Sequence, residues 1–229
     1  MNPVLKRILT ALSIAALVVT AILTAPECAF LPVVLILFVT AVLEYVVLLN
    51  RKIPFSRVAA YPAFLAGVLV LGAALFSLLA ILHTAPGDIG PNKMLLYVVM
   101  IVKCSDIGGF VFGLSSAKLM KGGNHKLCPS ISPGKSWEGL LGSIIFSCVF
   151  SCAFMPITGF AVAQALKLGV VAALVGTAGD LVESKFKRWV GVKDSSAFKF
   201  TNGMGGILDM LDSLLFAPTV LWLLMGCFR

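Results

Sequence analysis

The chain has 229 residues, of which 59% are apolar and only 12% charged, with a mean hydropathy of +1.04. Soluble domains carry about 25% charged residues, so this composition excludes an ordinary soluble globule, a disordered chain and a secreted disulfide scaffold. The net charge of +8 then points to basic loops lying on an anionic leaflet rather than to nucleic acid as a partner.

At about 20 residues per crossing, the length holds one transmembrane domain over residues 1–229 and no second, soluble one. A window of about 19 residues picks out seven apolar segments in chain order: Ile8–Leu23, Ala29–Leu49, Val58–Leu82, Met94–Leu114, Gly139–Pro156, Ala161–Leu181 and Gly206–Gly226. The first follows Lys6 and Arg7 as a signal peptide would. It lacks an A-x-A cleavage pattern before Pro26, and a second apolar run follows at once, so it reads as an uncleaved span. The fifth and sixth segments are joined tightly around Pro156–Phe160 and read as a helical hairpin. The expected fold is therefore all-α: a polytopic integral membrane helix bundle of about seven spans. Residues 1–93 form the less informative N-terminal spans. Residues 94–229 form the catalytic spans, with polar loops at 115–138 and 182–205.

Loop charge sets the orientation. Lys6 and Arg7, then Arg51, Lys52 and Arg57, then Lys118, Lys121, Lys126 and Lys135, then Lys185, Lys187, Arg188, Lys193 and Lys199 fall on alternate sides of the spans. Of the 18 basic residues, only Lys93 and Arg229 fall opposite, while Lys103 and Lys167 lie within spans. The bias places the N-terminus and both long loops in the cytoplasm. The six cysteines, Cys28, Cys104, Cys128, Cys148, Cys152 and Cys227, form no C-x-x-C pair. Most sit in apolar runs and read as small hydrophobes.

There are only ten acidic residues. Asp106, Asp180, Asp209 and Asp212 fall within or at the edge of spans, where each Asp costs about 2.5–3.5 kcal/mol at mid-membrane. By the span boundaries all four lie toward the side of the basic loops. Asp209 and Asp212 are three apart, which on a helix brings their Cβ atoms within about 5–6 Å. Two such carboxylates need a proton or a cation between them, and their oxygens suit Mg²⁺, Mn²⁺ or Ca²⁺. Taken alone, the pair reads first as helix-start acids favoured by the dipole. Its context shifts the reading: Gly203, Gly205 and Gly206 precede it, Asp194 lies in the basic loop, and Asp180 opens that loop. Carboxylates, basic side chains and a glycine turn are the components of a metal–phosphate site.

The loop from Lys118 to Glu138 repeats the theme with Ser132-Pro133-Gly134-Lys135-Ser136-Trp137-Glu138-Gly139. A P-loop is rejected because Pro129 stands where the pattern needs Gly. Lys135 and Ser136 suit phosphate contact, and the segment reads equally well as a basic loop with a helix start, Glu138 in its first turn. His83 and His125 are the only histidines; neither builds a zinc site, and no G-x-S-x-G elbow is present. Glu44 and Lys103, both in spans, either pair with each other or line the cavity.

Several stretches resemble the phosphatidate cytidylyltransferase (CDP-diacylglycerol synthase) family. Its C-terminal signature is similar to Ser184-Lys185-Phe186-Lys187-Arg188, then Lys193-Asp194-Ser195-Ser196, then Gly205-Gly206-Ile207-Leu208-Asp209-Met210-Leu211-Asp212-Ser213, with Gly179-Asp180-Leu181-Val182-Glu183-Ser184 as the lead-in. Ser105-Asp106 and the Ser132–Gly139 stretch also resemble family motifs, so the likeness covers roughly Ser105–Ser213. Met204 and Met210 stand where the family commonly has His and Arg, and the segment between Asp194 and Gly205 is longer.

The resemblance implies a membrane transferase of phospholipid biosynthesis. CTP and phosphatidic acid would give CDP-diacylglycerol and pyrophosphate, with Mg²⁺ and room for a second cation. It implies catalytic roles for Asp180, Asp209, Asp212, Lys187 and Arg188, and metal ligation by Asp180, Asp194, Asp209 and Asp212. It implies substrate contacts from Asp106, Ser132, Lys135, Ser136, Glu138, Ser184, Lys193, Gly205 and Gly206. The expected partners are CTP, phosphatidic acid and membrane lipids, without nucleic acid, and a homodimer is compatible. The expected location is a bacterial inner membrane with the site facing the cytoplasm. Two other readings compete: a cation-coupled transporter of an anionic solute using Asp106, Asp209 and Asp212, and a catalytically impaired relative, for which Met204 and Met210 speak.

Overall fold

A computed structural model of the chain describes residues 16–55, 57–58, 60–83, 90–192, 195 and 206–228, apart from the side chains of residues 27 and 28. Residues 16–24 are helical (α1), followed by α2 (Glu27–Lys52), α3 (Ala60–His83) and α4 (Pro91–Leu119). A short antiparallel hairpin, β1 (Lys126–Cys128) and β2 (Ser132–Ser136), leads into α5 (Trp137–Ala153). Then come the single turn α6 (Met155–Thr158), the long α7 (Val162–Val190), the short α8 (Ile207–Leu211), a 3₁₀ turn (Asp212–Leu214) and α9 (Ala217–Gly226).

The protein is an all-α, polytopic membrane bundle. Five described stretches are long and apolar enough to cross a membrane: Ala29–Lys52, Ala60–His83, Pro91–Leu119, Val162–Val190 and Ile207–Gly226. The apolar helix α5 is shorter, at 17 residues. Each predicted apolar segment thus falls on helix, the first only from residue 16 onward. Large apolar side chains such as Leu17, Ile36, Leu65, Phe76, Val149 and Leu223 point outward, as a chain solvated by lipid requires.

Two apolar clusters hold the bundle. The larger joins α3, α4, α7 and α9 through Ile81, Met94, Tyr97, Val98, Ile101, Leu168, Ala172 and Leu221. The smaller packs Ala41 and Leu48 of α2 and Leu71 of α3 against Leu208 and Leu215. A buried polar relay crosses the larger one. Ser151 donates to the Ala165 carbonyl at 2.7 Å, so its oxygen accepts from the Tyr97 hydroxyl at 2.6 Å. Helices α4 and α5 pack closely, because small residues let the backbones meet. A Cβ on Gly142 would strike Phe112 and the Gly108 carbonyl, and one on Gly108 would strike the Gly142 carbonyl.

Helix ends follow local chemistry. Pro91 opens α4 at a position where its missing N–H costs nothing. Gly191 closes α7 in the left-handed region (φ 87°), its N–H on the Lys187 and Arg188 carbonyls. The run 207–226 is not one helix: α8 yields to the 3₁₀ turn at Asp212 before α9 begins. The hairpin in the 115–138 loop is an element the sequence reading did not anticipate. Its Ser, Gly and Lys residues carry no apolar alternation.

Candidate active site

The hairpin, α4, α5 and α7 enclose a cavity of about 320 Å³. Asp106, Gly109 and Phe110 come from α4, Ser132, Lys135 and Ser136 from the hairpin, Gly139 and Ser143 from α5, and Thr177 and Asp180 from α7. Local sequence explains how the hairpin reaches it. Gly122 and Gly123 take positive φ (101° and 83°) after α4 ends, and the Asn124 amide donates to the Gly113 carbonyl at 2.8 Å. Glu138 accepts from the His125 backbone N–H at 3.2 Å and stands 2.6 Å from His125 Nδ1. Ser136 caps α5, accepting from Gly139 N–H at 3.1 Å. Lys135, one residue earlier, is thereby aimed across the cavity. Its Nζ lies 2.6 Å from Asp180 Oδ2 and donates to the Thr177 carbonyl at 3.0 Å.

Asp180 is the centre of a carboxyl cluster. The Asp212 carboxyl stands within hydrogen-bonding reach of it, and Asp106 acts on it through space. Lys103 and Ser213 close the group from behind. Ser213 Oγ donates to Asp106 Oδ2 at 2.8 Å, and Lys103 Nζ donates to Ser213 Oγ at 2.9 Å and to Asp106 at 3.2 Å.

Asp209 belongs to a second group. Its Oδ1 lies 2.5 Å from Lys187 Nζ, and its Oδ2 accepts from Ser195 N–H at 2.8 Å and Gly206 N–H at 2.9 Å. Ser195 Oγ returns the bond, accepting from Asp209 N–H at 3.2 Å. Lys187 also meets the buried Glu183 carboxylate, Nζ to Oε2 at 2.6 Å. Glu44, 3% exposed on α2, accepts from Leu208 N–H at 3.0 Å. The first turn of α8 is therefore held by carboxylates from its own chain segment and from α2, satisfying amides that a short helix leaves open.

Asp180 and Asp212 form the donor set suited to a divalent cation. Two facing carboxyls in a partly dry place share a proton or hold a cation. Mg²⁺ takes one or two carboxylates and completes its shell with water and substrate phosphate. Among the described residues no group of three or more His, Cys, Asp and Glu side chains is arranged for a metal ion; Asp180 and Asp212 would supply two carboxylate ligands.

The predicted residues thus divide. Asp106, Ser132, Lys135, Ser136 and Asp180 share the cavity, with Asp212 against Asp180. Asp209, Lys187 and Gly206 form the neighbouring group. Asp209 and Asp212, expected on one helix face, have different partners because the helix breaks between them. Glu138 is engaged by His125, and Arg188 donates to the Val192 carbonyl at 3.3 Å. Ser184 lies within α7, and Lys193, Asp194 and Gly205 lie outside the described residues. Sequence reasoning missed Thr177, Ser213 and Glu183. It left Lys103 and Glu44 open; they do not pair with each other. Signals existed in the i,i+3 spacing of Lys103 and Asp106 and the i,i+4 spacing of Glu183 and Lys187.

A sequence profile described as the cytidylyltransferase family matches residues 58–228. The phosphatidate cytidylyltransferase of Staphylococcus aureus (strain COL) is 41% identical over 133 residues, 57% of this chain and 48% of that protein. Its counterpart of the same name in Haemophilus influenzae is 39% identical over 132 residues, 53% of this chain and 41% of that protein. An uncharacterized protein of Escherichia coli (strain K12), YnbB, is 36% identical over 140 residues, 60% of this chain and 44% of that protein. The chain spans about half the length of the curated relatives it matches.

Proposed function

Since the chain belongs to the cytidylyltransferase family, whose profile covers residues 58–228, we propose that it transfers CMP from CTP to phosphatidic acid. The substrates are those in the names of the similar bacterial proteins. A phosphate oxygen of the lipid attacks the α-phosphorus of CTP. The bond from that phosphorus to the bridging oxygen breaks, and pyrophosphate leaves with the electron pair. The nucleophile is already anionic near neutral pH, so the site needs no strong base. Its task is to bring two anions together in line.

The observation that carries this reading is the cavity lined by Lys135, Ser132, Ser136, Asp180 and Asp106, with Asp212 standing against Asp180. Mg²⁺ held by Asp180 and Asp212 would neutralise phosphate charge. Lys135 uses two of its three donors, on Asp180 and Thr177, and keeps one for a phosphate oxygen. The Ser132 and Ser136 hydroxyls stand beside it to orient the same group. Lys187 and Asp209 hold the first turn of α8 in place next to the site. Lipid tails remain in the bilayer while CTP enters from the cytoplasm, the side toward which the basic loops are expected.

Purified protein in detergent, given labelled CTP, phosphatidic acid and Mg²⁺, is expected to form labelled CDP-diacylglycerol and pyrophosphate in equal amounts. Folded protein that forms neither would overturn the assignment.

A further inference from the structure

We infer that Lys103 is a positioning residue of this site: a built-in counter-cation that pins the turn carrying Asp212 and limits how tightly the carboxyls hold a divalent cation. The inference rests on the transferase reading in so far as the site takes such a cation.

An ammonium group on a spanning helix is costly unless it is paired. Lys103 has three N–H donors and three partners: Ser213 Oγ at 2.9 Å, Asp106 Oδ2 at 3.2 Å and the Met210 carbonyl at 3.3 Å. No donor remains for a phosphate, which separates it from Lys135. Met210 and Ser213 lie on either side of the break between α8 and the 3₁₀ turn. The Met210 carbonyl is of the kind a helix end leaves unpaired. One side chain on α4 thus fastens both sides of the break, and Asp212 sits between the fastened points. Ser213 N–H donates to Asp212 Oδ1 at 2.6 Å, so the tether passes directly to that carboxylate.

Lys103 acts electrostatically on Asp180 and Asp212 as well as on Asp106. Once a cation displaces any proton shared by the carboxyls, the three carboxylates together with Lys103 and Lys135 carry one net negative charge. A divalent cation then gives the site one net positive charge, suited to a polyphosphate anion. Without Lys103 the carboxyls hold the cation harder, yet the loaded site is neutral and attracts the nucleotide less.

The test measures Mn²⁺ binding to the full chain in detergent by electron paramagnetic resonance, alongside the KM for CTP. Lys103→Met removes charge and donors. Lys103→Gln keeps two donors for the turn and loses the charge and one donor, and it serves if the Met variant does not fold. Both are expected to tighten Mn²⁺ binding about threefold or more while raising KM, with Lys103→Arg within about twofold of wild type. A strut without an electrostatic role would lower thermal stability and leave Mn²⁺ affinity unchanged or weaker; that result in Lys103→Gln overturns the inference. Asp212→Asn keeps the outcomes apart. If it loses Mn²⁺ while Lys103→Gln matches wild type, only the role of Lys103 falls. If wild type shows no saturable Mn²⁺ binding, the divalent site and the role of Lys103 fall together.

Discussion

A carboxylate buried on α2 is made tolerable by the backbone N–H that Leu208 offers it, and that exchange works in both directions. Replacing Glu44 with Ala strips an acceptor from the first turn of α8 and is expected to cost about 1–3 kcal/mol, read as a lower melting temperature in detergent. Glu44→Gln, which keeps an acceptor oxygen, should recover most of the loss. Asp180 and Asp212 behave differently, since they face each other across the cluster, with Lys135 on Asp180. Asp180→Asn and Asp212→Asn are each expected to lower turnover by about 100-fold or more with melting temperature near wild type, measured by CDP-diacylglycerol formation. The scarcity of acids in a greasy chain made these residues conspicuous in the sequence. Their sorting into two groups was not legible there: it depends on Lys187 reaching back from α7 and Lys135 crossing from the hairpin, contacts between residues far apart in the chain.

Among the elements, the contact of α4 with α5 sets the floor of the cavity, because Gly109 and Gly139 line it while Gly108 and Gly142 bring the two backbones together. An alanine at Gly142 would place its Cβ 2.6 Å from the Gly108 carbonyl, so the helices must part. Gly142→Ala is expected to destabilise by about 1–3 kcal/mol. Gly134→Ala, whose Cβ would meet nothing within 4 Å, should stay within about 0.5 kcal/mol; thermal unfolding in detergent compares the pair. Helix positions were readable from apolar runs alone, since lipid leaves helices as the way to satisfy the backbone. The break at Asp212 was not readable. A spacing of three fits an unbroken helix as well as a helix followed by a 3₁₀ turn, and what decides is side chains supplied by α2 and α4.

For the whole molecule, alternation of basic loops predicts that the hairpin and the end of α7 face the cytoplasm. A cysteine placed at Lys121, in a background without Cys128, should react with an impermeant maleimide in inverted vesicles and stay unlabelled in intact cells. Labelling from the outer side would reverse the orientation. Composition was enough to recognise a membrane bundle, and the motif spacing was enough to recognise the family. Glu44, ahead of the matched residues 58–228, holds the turn that carries Asp209.

The last span owes its shape to partners made before it. Leu208 N–H and the Met210 carbonyl are both answered by side chains from α2 and α4, segments that leave the ribosome well ahead of residue 207. A polypeptide that inserted its final stretch alone would carry those bare polar groups into hydrocarbon. Biogenesis of this turn therefore waits on a scaffold already assembled, and damage to an early helix would surface as a defect at the opposite end of the chain.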